Sequence, residues 1–294
     1  MLDYRILTFL NVYETLNFTT SAHELHITQP AVSQHIAYLE EYYQVKLFIR
    51  DGKKIKPTLA GSQLFRAMKT IQSDEIKLLD NLIKDENKLN QLRIGVTMTI
   101  GEFTITNALA KLIISNPTMN IKLTFDNTTN LLKDLENGNI DIAISEGYYN
   151  NDNFSCITYR QEPYILVAST NHHFHATPLN VKDICPESLI IREEGSGSRS
   201  LLENYLSLRN LSLHNFKRLI EVGSINTIVK LLLQDCGIGF VYRCAVEKEL
   251  NSKLLTHIKL QDFELNHDFV FLFNKGSIYT NEYQNICQQI IDLT

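Results

Sequence analysis

Two groups of side chains in this 294-residue sequence carry the chemistry of recognition. The first is Thr28-Gln29-Pro30-Ala31-Val32-Ser33-Gln34-His35-Ile36-Ala37-Tyr38-Leu39-Glu40. Val32, Ile36 and Leu39 recur at helical spacing and predict one buried stripe. Gln29, Ser33, Gln34 and His35 fall off that stripe, with groups that donate and accept hydrogen bonds. Thr28 can cap the first free N–H groups, and Pro30 sits in the first turn, where a missing N–H costs nothing. An anchored helix presenting amides and hydroxyls suits the base edges of a DNA major groove. Downstream, Lys46, Arg50, Lys53, Lys54 and Lys56 stand against Asp51 alone, a local net charge of +4. That is the footprint of a phosphate grip, set against the plainer possibility of a solvated hairpin.

The second group occupies three later loops, Thr97-Met98-Thr99-Ile100-Gly101, Asn127-Thr128-Thr129-Asn130 and Glu194-Gly195-Ser196-Gly197-Ser198-Arg199. Each ends a β-prone run and opens a helical one, so hydroxyls and free backbone N–H groups gather where an anion could be held. Arg199 could add a charge-assisted bond, and Ser224, opening another helix, is a further candidate. The plainer possibility is that these hydroxyls only cap their helices. Other motifs carry less. His172-His173-Phe174-His175 has no carboxylate or cysteine at ligand spacing, so a polar loop is expected rather than a metal site. Gly195-Ser196-Gly197-Ser198 is not a nucleophile elbow, and Gly237-Ile238-Gly239 lacks the third glycine of a dinucleotide loop. No catalytic residue, metal or cofactor is expected.

The elements that must position these groups follow from the pattern. Residues 3–16 form a helix through Ile6, Leu7, Phe9, Leu10, Tyr13 and Leu16. Residues 18–27 form a shorter one, capped by Thr19 or Thr20, with Ala22 small enough for close packing against the helix from Thr28. Helix, tight turn, helix is a helix-turn-helix arrangement, or else an ordinary αα-hairpin. Two β-prone runs flank Asp51-Gly52, a hairpin signal that makes a wing. Residues 58–88 carry Leu64, Met68, Ile71, Leu78 and Leu82 at coiled-coil steps, with Glu75 in one slot. That stripe can pair two subunits or lie on the chain's own core. From Gln91 strands and helices alternate, which implies parallel sheets covered on both faces and ligands beyond the strand C-termini.

Composition bounds the rest. A net charge of −5 excludes a chain that is basic throughout. The five cysteines are odd in number and scattered, and read as reduced thiols. Asp3, Arg5 and Glu14 in the first helical pattern argue against a signal peptide, and no apolar run is long enough for a bilayer. A cytoplasmic protein is expected.

Gln29-Pro30-Ala31-Val32-Ser33-Gln34-His35-Ile36, Leu39-Glu40, Lys46-Leu47-Phe48-Ile49-Arg50 and Thr58-Leu59-Ala60-Gly61 together resemble the N-terminal signature of LysR-type transcriptional regulators. Gly195 to Arg199, with Glu221-Val222-Gly223-Ser224, is similar to the branch that includes sulfur-assimilation regulators of the CysL kind. The chain departs from the pattern at Tyr43-Gln44, where the family often has Leu-Gly. It departs again at Gln34, His35, Ala37 and Tyr38, where Arg or Lys is common, which shifts the grip toward the wing. The resemblance implies an α+β multidomain protein. A winged helix-turn-helix at 1–58 precedes a linker and dimerisation helix at 59–88. A periplasmic-binding-protein-like α/β domain follows at 89–294, with subdomain I at 89–161 and 269–294 and subdomain II at 162–268. Strands would cross between the subdomains near Tyr159–Tyr164 and His267–Phe271.

It further implies a sequence-specific, non-enzymatic regulator, a homodimer or homotetramer on double-stranded DNA, touching RNA polymerase if it activates. A small, anionic effector would bind between the subdomains. Thr28, Gln29, Pro30, Ser33, Gln34, His35, Arg50, Lys53, Lys54 and Thr58 are the DNA-binding candidates. Thr97, Met98, Thr99, Ile100, Thr128, Thr129, Ser196, Ser198, Arg199 and Ser224 are the effector-binding candidates, the first two loops matching family positions that touch the effector. Two other readings stay open: a cytoplasmic solute receptor whose N-terminal domain only oligomerises, and an α/β enzyme.

Overall fold

The computed structural model describes residues 2–51, 54–82, 90–149 and 152–294. The chain divides into two compact units. The first holds residues 1–88 together with the turns 136–139 and 274–280; the second holds the remainder.

In the first unit, helices α1 (Tyr4–Thr15), α2 (Phe18–Glu24) and α3 (Gln29–Tyr43) precede the hairpin β1 (Phe48–Asp51) and β2 (Lys54–Pro57), and then helix α4 (Leu59–Leu82). Asp3 caps α1 through the Arg5 N–H at 2.8 Å. Asn17, rather than Thr19 or Thr20, caps α2, accepting from both of their N–H groups at 2.9 and 3.1 Å. An amide oxygen one residue ahead of the helix reaches the orphan N–H groups more easily than a hydroxyl already inside it. Thr28 caps α3 as expected from its place before Pro30. Gln44 ends α3 in the left-handed region at φ 55°, taking the strain that a glycine would avoid.

Ile6, Phe9, Leu10 and Val12 of α1, Ala22 of α2, and Val32, Ile36 and Leu39 of α3 close one core with Leu47 and Phe48. Leu64, Phe65 and Met68 of α4 pack against it, so the first part of the α4 stripe lies on the chain's own core. Further along, Ile71, Leu78 and Leu82 are exposed. Glu75 does not fill a seam here; its carboxylate accepts from the Leu2 N–H at 3.2 Å. Within this same unit, Asp74 accepts from the Ser277 hydroxyl at 2.6 Å and the Ile278 N–H at 2.9 Å. The Lys69 ammonium lies 2.6 Å from Glu14 and 2.9 Å from the Asn137 side chain. Gly61 permits α4 to start where it does: a Cβ there would lie 2.2 Å from the Leu47 carbonyl oxygen. Gly61→Ala is expected to destabilise this unit by about 1–3 kcal/mol or more, because backbone must move, and urea unfolding followed by circular dichroism measures it.

The second unit is built on β3 (Asn90–Val96), α5 (Met98–Phe103), α6 (Thr106–Ser115), β4 (Met119–Phe125), α7 (Thr128–Glu136), β5 (Ile142–Ser145) and β6 (Phe154–Ser169). It continues through β7 (Ser188–Ile191), α8 (Gly197–Ser207), β8 (Arg218–Glu221), α9 (Ile225–Leu233), β9 (Ile238–Tyr242), α10 (Glu247–Asn251), β10 (Leu255–His257), β11 (Leu265–Asn274) and α11 (Thr280–Asp292). Among the described residues these strands form one nine-stranded sheet in the order β4-β3-β5-β11-β6-β9-β7-β8, with β10 on β6. β3 pairs in parallel with β4 and β5, and β7 with β8 and β9, as the alternating pattern predicts. β11 and β6 lie between these halves and pair antiparallel with β5 and β9. Both run well beyond the short strands expected from apolar residues alone, since Phe154–Tyr159 and Leu265–Asp268 alternate and only their distal ends are buried on both faces. Among the described residues no helix is long and apolar enough to cross a membrane.

Candidate functional site

On the first unit, Thr28 and Pro30 fix the start of α3, and Gln29 and Gln34 are exposed on it with Ser33 half-exposed. The Gln29 amide donates to the Ser33 hydroxyl at 3.0 Å, so the two present one joined polar edge. His35 turns the other way. Its Nδ1 lies 2.9 Å from the Thr8 hydroxyl and its ring meets Tyr4 edge-on at 4.9 Å. Burial, with Arg5 adding to it, holds the imidazole below its usual range, so it stands as a neutral tie between α3 and α1. The periodicity could not show this, because a residue flanking the buried stripe can lean either way.

The hairpin follows this helix as a wing; Arg50 is exposed on β1, and Lys54 of β2 is paired in register with Asp51. Lys53 lies outside the described residues. Thr58 is occupied: its hydroxyl donates to the Lys46 carbonyl at 2.6 Å and accepts from the Gly61 N–H at 2.9 Å, which caps α4. Lys46 pairs with Glu40 at 2.5 Å. Glu40 also accepts from the Leu47 N–H at 2.9 Å, and so ties the end of α3 to the entrance of the wing. Glu40 and the Arg5 guanidinium, 3.8 Å over the Tyr38 ring, are parts of this surface that spacing did not single out.

In the second unit the three predicted loops follow β3, β4 and β7, and the C-terminal end of β5 meets them through Ser145 and Glu146. The Thr97 hydroxyl donates to the Glu146 carboxylate instead of capping α5. Thr128 shares a hydrogen bond with Ser145 at 2.8 Å, and Ser196 with Ser198 at 3.0 Å, all buried. A Cβ on Gly197 would lie 2.6 Å from the Gly147 Cα and 2.9 Å from the Thr128 hydroxyl, so the loops touch backbone to backbone. Thr129 reaches the Gly195 carbonyl at 3.4 Å. Thr99 is buried beside them, Met98 packs partly against the core under α9, and Ile100 is wholly buried.

Two candidates have other work. Ser224 accepts from the Thr227 N–H at 3.3 Å as the cap of α9. Arg199 is spent on Glu203 at 2.9 Å and Glu221 at 2.7 Å; these carboxylates outweigh its burial and keep it firmly protonated. The cation at the meeting point is Arg192, which follows β7 and is 5% exposed. Its Nε and Nη2 bind Glu193 at 2.8 and 2.9 Å, while Nη1 is buried with no partner. Tyr242, ending β9, is likewise buried with an unpartnered hydroxyl, and the Tyr164 ring meets it at a tilt of 52° and 4.9 Å while its hydroxyl donates to the Ser198 carbonyl at 3.0 Å. Glu146 is 1% exposed. Burial pushes its carboxyl up, against the opposing pull of the Thr97 hydroxyl and Arg192. Glu102, which accepts from Asn226, is raised by burial with Arg192 again opposing.

Elsewhere, His172 lies 2.5 Å from Asp235 and 3.4 Å from Glu187. Among the described residues no group of three or more His, Cys, Asp or Glu side chains is placed to hold a metal ion.

Comparison with known proteins places both units. Residues 5–62 match the model for a bacterial regulatory helix-turn-helix protein of the lysR family, and residues 86–292 match the LysR substrate binding domain. CysL, an HTH-type transcriptional regulator of Bacillus subtilis, is 26% identical over 272 residues, covering 90% of this chain and 88% of its own. The RuBisCO operon transcriptional regulator of Allochromatium vinosum is 23% identical over 274 residues, covering 91% and 89%. Among solved structures, full-length LysG of Corynebacterium glutamicum with bound effector Arg superposes with a TM-score of 0.62 at 14% identity, covering 100% of this chain and 98% of that one. The CcmR regulatory domain of Synechocystis in complex with 2-PG gives 0.61 at 19%, covering 69% and 97%.

Proposed function

The chain belongs to the LysR family of DNA-binding transcriptional regulators with an effector-binding domain, and on that premise we propose how its residues divide the work. Gln29, Ser33 and Gln34 read base edges from α3, with Thr28 and Pro30 setting the angle of entry. Arg50, Lys53 and Lys54 grip phosphates from the wing. His35 and Thr58 support that surface from behind. The observation that carries this reading is the exposed amide and hydroxyl edge of α3 followed by a basic hairpin, in a chain whose overall charge is −5. The regulator works in the cytoplasm, and touches RNA polymerase where it activates.

The effector brings an oxyanion, and Arg192 Nη1 with the Tyr242 hydroxyl receives it. These are buried donors with no acceptor of their own, and such donors are costly to leave unpaired. Ligation there biases the placement of two DNA-reading heads. The heads are paired through α4, whose Ile71, Leu78 and Leu82 are 46, 43 and 69% exposed. Selection of genomic fragments by the purified protein, followed by footprinting, tests the reading. Two half-sites spaced by about a helical turn or its multiples are expected, and no sequence preference at all would refute it. Leu78→Lys is expected to give a monomer by analytical ultracentrifugation and to reduce protection to one half-site; an unchanged mass would place the partner contact elsewhere.

A further inference from the structure

The buried cluster at the ends of β5, β7 and β9 specifies more than an oxyanion. This step rests on the assignment of that cluster as the effector site. Three carboxyl groups surround the one guanidinium: Glu193 holds two of its nitrogens, and Glu146 and Glu102 both lie within its field. Arg192 is therefore already matched in charge before any ligand arrives. A bare anion would meet one guanidinium against two further carboxyl groups, and in a water-poor interior that charge balance repels it. The second cation of the cluster, Arg199, is paired with Glu203 and Glu221 and contributes nothing free.

Two needs remain, of opposite sign. Arg192 Nη1 and the Tyr242 hydroxyl are buried donors lacking an acceptor. Glu146 is a buried acceptor at the C-terminal end of β5, with the neutral Thr97 hydroxyl as its side-chain donor. A carboxylate so placed is stabilised by a cation that enters with the ligand. Tyr164, donating to the Ser198 carbonyl, lies within the field of both Glu146 and Arg192.

We propose that the effector is a small zwitterion of the α-amino acid class, its carboxylate received by Arg192 and Tyr242 and its ammonium by Glu146. The ligand then adds one charge of each sign and leaves the net charge of the site unchanged.

The test is titration calorimetry on the full-length protein with each common L-amino acid and with the 2-oxo acid of the same side chain, which keeps the carboxylate and lacks the ammonium. At least one amino acid is expected to bind wild type, and its 2-oxo partner at least tenfold more weakly. Glu146→Gln, close in shape, is expected to bring the amino acid down to the level of the oxo acid, and Arg192→Met to weaken both. Equal binding of the two ligands by wild type, an unchanged preference in Glu146→Gln, or no binding by any amino acid overturns the proposal. The wild-type comparison needs no variant, so a folding defect in Glu146→Gln does not shield it. Footprinting on the same preparations without ligand separates the two levels: sequence-specific protection with no amino acid bound sinks the ligand class and leaves the regulator reading intact.

Discussion

Asp141→Ala is expected to cost the second unit about 3–5 kcal/mol, because it removes a buried carboxylate that takes three bonds from Arg93. Asp141 is 2% exposed at its side chain and Arg93 11%. One carboxylate takes three bonds: the Arg93 backbone N–H at 2.8 Å, Nε at 3.2 Å and Nη2 at 2.9 Å. Alanine removes the acceptor that these three donors share, in a space that water does not readily fill. In a unit of this size the loss corresponds to a fall in melting temperature of roughly 6–20 °C. Far-UV circular dichroism measures it, since the chain has no Trp to report by fluorescence. Asp141→Asn keeps the shape and one acceptor, and is expected to fall between alanine and wild type. The consequence reaches the site, because this pair locks β3 to the entrance of β5, and those strands deliver Thr97 and Glu146. A loss below about 1 kcal/mol would mean that the pair behaves as a solvated surface pair.

That ion pair marks where sequence reasoning stops. Val32, Ile36 and Leu39 could be assigned to a buried stripe from spacing alone, as could the parallel strands from their runs of Ile, Leu and Val. The loops beyond those strands followed from the rule that ligands gather at strand C-termini. What spacing could not supply is which polar group each side chain chooses. Arg93 and Asp141 are 48 positions apart, and Arg199 is claimed by Glu221, 22 positions on, while Arg192 pairs with its neighbour Glu193. Arg199 was the visible candidate because it sits in a glycine-serine loop, yet Glu221 from another strand claims it. Glu146, Arg192 and Tyr242 each follow or end a strand that the pattern located, so the same strand-end rule, applied to every strand, reaches them. His35 shows the converse: a side chain at the edge of a helical stripe is outward by periodicity and inward by hydrogen bond, because Thr8 of another helix lies within reach.

The largest functional effect is expected on α3. Gln34→Ala removes an exposed amide able to donate and accept at a base edge, and loss of such a contact lowers discrimination by ~1–3 kcal/mol, or about 5–150-fold between the preferred site and random DNA. Ser33→Ala acts twice, since the serine hydroxyl also orients the Gln29 amide at 3.0 Å. Lys54→Ala works through a different term. A phosphate contact carries no base information, so binding to every sequence is expected to weaken alike, and the slope of log K against log salt to flatten by about 1. His35→Ala serves as the structural control: it breaks the tie to Thr8 and Tyr4, and is expected to lower the melting temperature while leaving base preference in place. Competitive binding on the footprinted site and on scrambled duplex, at two salt concentrations, reads all four variants together. If Ser33→Ala and Gln34→Ala leave the ratio between the two duplexes untouched while Lys54→Ala changes it, the wing reads the bases and α3 merely rests on the backbone.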